Sequence, residues 1–140
     1  MKKKEIIVIK VGTSVITKTD GSLDTKSIKH ITEEIASLRK RGFFVVLISS
    51  GAVGAGKGLT KITNDDEVIA RQVYASVGQL PLIQAYQTAF GKNGYTLGQV
   101  LVTKSDFRDR HHYLNMKRCF TGLLEEGIIP IVNENDVVSV

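Results

Sequence analysis

The run Phe43–Gly58, FFVVLISSGAVGAGKG, restricts the fold more than any other part of the chain. Phe43 to Ser49 holds neither charge nor turn former, which predicts a strand buried on both faces, as inside a parallel sheet. From Ser49 to Gly58 there follow two serines, four glycines and otherwise small side chains before Lys57. Backbone NH groups in such a stretch can approach a ligand closely. A helix beginning near Gly51 would add its free NH groups and the positive end of its dipole. A glycine-rich turn that packs a helix tightly on a sheet accounts for the same residues. Gly51–Lys57 also matches the phosphate loop G-x-x-x-x-G-K-[ST] except at its last position, where Gly58 replaces the Mg²⁺-binding hydroxyl. In Gly54-Ala55-Gly56-Lys57-Gly58 the third glycine comes one residue too early for a dinucleotide fingerprint.

The flanking pattern predicts an α/β chain with a mostly parallel sheet and helices on both faces. Glu5–Val11 reads as a first strand, ending in Lys10 and the turn Gly12-Thr13-Ser14. Asp20-Gly21 marks a loop or short hairpin. Asp24 is placed to cap a helix whose Ile28, Ile31, Ile35 and Leu38 share a face and which Gly42 ends. These elements form a βαβ unit with parallel strands. Asn64 to Glu67 predicts a capping-box start, with Ile69, Val73 and Val77 turned inward; Pro81 opens a second helix that Gly91 stops. The expectation is a helical hairpin beside the sheet. Tyr95–Thr103 is a third strand ending in Thr103-Lys104-Ser105-Asp106, followed by a helix with Met116, Cys119, Phe120, Leu123 and Leu124 inward up to Gly127. Ile128–Val132 is a fourth strand, in which Pro130 requires an edge position or an early place. It runs directly into Asn133-Glu134-Asn135-Asp136.

At 140 residues the chain is long enough for one domain with a sizeable core. The apolar run after Lys2–Lys4 is broken at Lys10 with no cleavage signal, so the expected location is the cytoplasm, without a membrane partner. Cys119 alone permits no internal disulfide and is expected in the core. The net charge of +5 falls in a terminal lysine run and in Arg39–Arg41 at a helix end, both read as solvated. Without tryptophan or aromatic–basic interleaving, nucleic acid is a poor partner and an anionic small molecule a better one. Adjacent His111 and His112 point in different directions and read as surface residues, not a metal site. Ligands of parallel sheets bind at the strands' carboxyl ends. Here those ends carry Lys10 with Gly12, Ser50 with Gly51, and Asn133 with Asp136.

Four segments, IKVGTS (Ile9–Ser14), ISSGAVG (Ile48–Gly54), VGQ (Val77–Gln79) and IPIVNEND (Ile129–Asp136), resemble the amino acid kinase family and, within it, the branch acting on glutamate. The resemblance implies the family's three-layer sandwich and ATP- and Mg²⁺-dependent phosphorylation of the L-glutamate side-chain carboxylate, the first step of proline biosynthesis. It implies Lys10 as the catalytic lysine that bridges the transferred phosphoryl group. Gly12, Thr13 and Ser14 form the nucleotide side of that strand end. Ser50, Gly51, Asn133 and Asp136 hold glutamate, with Asp136 on its ammonium group; no residue matches a metal ligand. A homo-oligomer and feedback inhibition by proline are further implications. Against the family pattern, residues 1–140 correspond to an amino-acid-binding lobe, with the nucleotide lobe absent and the chain truncated. An uncovered sheet edge is then expected to favour association. Two other readings stay open: a non-catalytic glutamate- or proline-binding module, and a phosphate-loop NTPase using Lys57.

Overall fold

A computed structural model of the chain describes residues 3–139; of the basic terminal run, Lys2 lies outside the described residues. Four strands, β1 (Ile6–Val11), β2 (Phe44–Ser49), β3 (Leu97–Val102) and β4 (Ile129–Glu134), form one sheet in the order β1-β2-β4-β3, every pair parallel. The helices are α1 (Thr13–Ile16), α2 (Thr25–Lys40), α3 (Ala52–Leu59), α4 (Glu67–Lys92), α5 (Lys104–Arg108) and α6 (Arg110–Glu125). Pairing of Ile6 with Phe44 through Val11 with Ser49 brings the ends of β1 and β2 level. The crossover from β3 through α5 and α6 brings β4 between β3 and β2, so its polar end lies beside that of β2.

One sheet face carries Val11, Val45, Leu47, Ile129 and Ile131, all buried against Ile28 and Ile35 of α2 and Leu82, Tyr86 and Phe90 of α4. The opposite face is covered by α6 over β3 and β4, where Leu123 presses on Gly98 and Leu124 is buried. Helices on both faces make the expected three-layer arrangement. Over β1 that second face is open, leaving Ile6 and Val8 54% and 59% exposed. The uncovered apolar surface is therefore a half-face of the sheet as well as an edge.

Local chemistry sets the element ends. Asp24 accepts from the Ser27 amide, and Gly42, at φ 95°, follows the end of α2. Between β1 and α2 the chain makes a small hairpin, with Thr17 bridged to Leu23 and Gly21 in the left-handed region. The Ile129 amide donates to the Thr96 carbonyl at 3.0 Å on the β3 side. Alternation then turns the Pro130 nitrogen towards β2, where pairing opens one residue later at Leu47 and Ile131. Pro130 is thus an early residue of an interior strand, one of the two placements its missing NH allows.

Residues 64–92 depart from the expected helical hairpin: α4 is a single helix through Pro81, capped by Asp66 instead of Asn64 and ending past Gly91, at Asn93 and Gly94. An interior proline costs about 3 kcal/mol. Fully burying side chains such as Leu82, Tyr86 and Phe90 returns roughly 1.5–3 kcal/mol each, enough to hold the two halves in line. The inward face of the first half is also not the expected one. Ile69 and Val73 are exposed, while the small residues Ala75 and Gly78 are buried, Gly78 directly against α3.

Two further expectations fail. Cys119 is exposed, because α6 turns residues 116, 120, 123 and 124 towards the sheet and leaves residue 119 overhanging edge strand β3. Arg39 is half-buried rather than solvated: its Nη1 donates to the Phe43 carbonyl at 3.0 Å and its guanidinium lies over the Phe44 and Tyr95 rings.

Candidate functional site

At the ends of β1 and β2 a short hydrogen-bond chain fixes Ser50. Its amide and Oγ both donate to the Val11 carbonyl, at 3.0 and 3.2 Å, and Thr13 Oγ1 donates to Ser50 Oγ at 3.1 Å. Gly51 then takes φ 113° and becomes the N-cap of α3 without offering a side-chain cap. A side chain there is strained by that φ, and it would also have to displace Ile16 Cδ1, 2.7 Å from where a Cβ would sit. The first helical bond runs from the Ala55 amide to the Gly51 carbonyl. The NH groups of Ala52, Val53 and Gly54 are left for whatever occupies the space in front of them.

The remaining glycines of this run serve packing. A Cβ on Gly56 would strike the Tyr74 backbone of α4, one on Gly58 the Gly21 backbone, and one on Gly54 would crowd Thr13. Gly51–Lys57 is therefore an N-cap and a helix, not a loop wrapped around phosphate, and Lys57 emerges in the last turn of α3 over the Tyr74 ring.

Across from α3, the end of β4 is tied to α4 by side chains. Asn133 Nδ2 donates to Gln79 Oε1 at 3.2 Å, while its Oδ1 accepts from the Glu134 amide. The Asp136 carboxylate, 11% exposed, lies 3.5 Å from Arg71 Nη2, and Gln72 Nε2 donates to the Val137 carbonyl at 2.7 Å. Thr13, Ser50, Gly51, Asn133 and Asp136 thus line one pocket of about 250 Å³ together with Lys57 and Arg71. Among the lining residues the two cations outnumber the one carboxylate, which suits a ligand carrying more negative than positive charge.

Lys10, Gly12 and Ser14 lie outside this lining. Lys10 is exposed on the open sheet face opposite Ile48, and among the described residues it forms no ion pair. Gly12 has ordinary extended backbone and no neighbour within 4 Å of a Cβ, so neither conformation nor packing explains a glycine there. Ser14 lies in α1, exposed. The β3 end is used for capping instead: Thr103 and Asp106 form a reciprocal box at α5, and the Thr103 amide holds the Asp106 carboxyl below its usual pKa, helped by His112 Nδ1 at 3.1 Å. His111 and His112 both lie in the exposed first turn of α6.

Residues 5–140 match the amino acid kinase family. The chain belongs to the amino acid kinase family. Among its curated relatives in that family, the glutamate 5-kinase of Chlorobaculum tepidum is 52% identical over 96% of this chain and 37% of its own length. The glutamate 5-kinase of Bacteroides thetaiotaomicron is 46% identical over 96% of this chain and 38% of its own. The chain therefore spans a little over a third of the length of these amino acid kinases. Among solved structures, isopentenyl phosphate kinase superposes with a TM-score of 0.54 at 22% identity, covering 92% of this chain and 56% of that one. That likeness concerns the fold alone, and it agrees with the three layers described above.

Sequence reasoning missed two residues of the pocket region, Arg71 and Gln79. Gln79 was within reach, since it belongs to the VGQ segment whose glycine the α3 contact explains. Arg71 carried no signal, because a basic residue early in a helix ordinarily faces water.

Proposed function

We propose that the chain forms the L-glutamate-binding lobe of a glutamate 5-kinase, which moves the γ-phosphoryl group of Mg²⁺-bound ATP to the substrate's side-chain carboxylate. A carboxylate oxygen bonds to the γ-phosphorus as the bond to the β,γ-bridging oxygen breaks, giving L-glutamate 5-phosphate and ADP, the opening reaction of proline biosynthesis. The observation that carries this reading is the pocket between β2 and β4, where an uncapped helix N-terminus faces Asp136. Its two ends suit the two ends of an acidic amino acid.

In this reading the side-chain carboxylate lies at Gly51 and the first NH groups of α3, beside Ser50, while Asp136 takes the ammonium group and Asn133 hydrogen-bonds alongside. Gly12, Thr13 and Ser14 border the incoming phosphates, and Gly12 is a glycine so that they can approach. Lys10, which forms no ion pair among the described residues, neutralises the charge spread over the phosphoryl oxygens in the transition state. Among the described residues no cluster of His, Cys, Asp or Glu fits a protein-held metal, so Mg²⁺ is assigned to the nucleotide phosphates. The nucleotide lobe is assigned to the additional length found in the relatives, and the site operates in the cytoplasm.

Glutamate-dependent ADP release from Mg²⁺ATP, measured on the 140-residue chain and on a full-length chain carrying these residues, tests the reading. Full-length protein turns over; Lys10→Ala abolishes transfer, and Lys57→Ala costs far less. The reverse pattern would favour a phosphate-loop NTPase, and saturable glutamate binding without turnover in the full-length chain would favour a binding module.

A further inference from the structure

Asp136 provides for the substrate's ammonium group, and the α-carboxylate on the same carbon still lacks a partner. Groups attached to one carbon must be met by protein groups lying side by side. Arg71 lies beside Asp136, with Nη2 3.5 Å from Oδ1, and lines the same pocket. We infer that Arg71 receives the α-carboxylate while Asp136 receives the α-ammonium, so that the pair reads the zwitterionic head of a free α-amino acid. The inference rests on the glutamate reading and adds the residue that sets specificity at the far end from the phosphoryl group.

Three observations separate this from an ion pair that only holds the fold. A saturated charge-assisted pair closes to about 2.7–2.9 Å, so at 3.5 Å the guanidinium fork is not consumed by Asp136. The exposure is lopsided, 63% for the Arg71 side chain against 11% for Asp136, which puts the free donors on the open side. The turn carrying Asp136 is also fastened independently, through Gln72 to the Val137 carbonyl. Lys57, the other cation lining the pocket, sits over Tyr74 and makes no ion pair with Asp136, so of the two cations Arg71 is the one already placed beside that carboxylate.

Titration calorimetry with L-glutamate, glutarate and 4-aminobutyrate separates the two ends of the head group. Glutarate lacks the ammonium and 4-aminobutyrate lacks the α-carboxylate. Arg71→Ala is expected to weaken glutamate and glutarate by about tenfold to a hundredfold, the value of a charged hydrogen bond, and to leave 4-aminobutyrate unchanged. Asp136→Asn should show the complementary pattern, sparing glutarate. Gln72→Ala, which loosens the turn without removing a cation, should move all three ligands together. Equal losses for all three ligands in Arg71→Ala, or a glutarate-selective loss in Lys57→Ala instead, would overturn the assignment. Glutamate binding that ignores Arg71 would overturn it alone; no glutamate binding by the wild-type chain would overturn the glutamate reading and this assignment with it.

Discussion

Ser49 and Ser50 are neighbours with unrelated tasks, because strand alternation sends the first into the helix layer and releases the second at the strand end. Ser49 is buried, with Oγ donating to the Ser50 carbonyl at 2.9 Å and lying 2.9 Å from Tyr86 Oη. Having one proton, already given, Ser49 accepts from Tyr86, whose hydroxyl pKa is raised by burial. Removing the two partners should therefore differ in cost. Tyr86→Phe leaves the Ser49 proton bonded and is expected to lower stability by about 1 kcal/mol, whereas Ser49→Ala strands a buried phenol and should approach the upper end of roughly 1–3 kcal/mol. Urea midpoints at constant m-value check the order. The pocket residues Ser50, Gly51, Asn133 and Asp136 were legible because they lie within four residues past the end of an apolar run. Arg71 was not, since its relation to Asp136 exists only once α4 crosses the end of β4.

At the scale of elements, the crossing of α3 and α4 decides where the pocket's helix N-terminus points. Gly56 lies against the Tyr74 backbone and Gly78 against Ala52 and Gly56, so a Cβ on Gly78 would run into the Ala52 carbonyl and the Gly56 amide. These are backbone atoms, so no rotamer change relieves the clash. Gly78→Ala is expected to cost about 3 kcal/mol, the high end for overpacking, and to weaken glutamate binding by tilting α3. Gly91→Ala is the control: in the same helix, with nothing within 4 Å of a Cβ, it should stabilise by roughly 0.5–1 kcal/mol. Chemical denaturation of both variants checks the contrast. The glycine run looked in sequence like a ligand cradle or a packing turn, and it divides between the two, Gly51 to the pocket, Gly56 and Gly58 to contacts, and Gly54 to both, with its NH in the pocket and its bare Cα against Thr13. Hydrophobic spacing misread α4 because glycine and alanine, which make the closest contact, leave no mark in an apolar pattern.

For the molecule as a whole, the parallel order β1-β2-β4-β3 delivers β2 and β4 side by side, and this places the pocket where chain-distant residues 50 and 136 meet. The class of fold could be read from the alternation of strands and helices, whereas the adjacency of β2 and β4 could not, since it depends on a crossover that skips a position. Among the described residues no helix is long and apolar enough to cross a membrane. A cavity of about 650 Å³ between α2 and α4 is rimmed by Lys26, Lys29 and Lys92 and lies apart from the strand ends. An NMR titration of the ¹⁵N-labelled chain with L-glutamate distinguishes these two places most directly. Saturable amide shifts concentrated at Gly51–Gly54, Arg71 and Asn133–Asp136 are expected. Shifts centred on the α2–α4 groove, or none on saturation with glutamate, would contradict this placement.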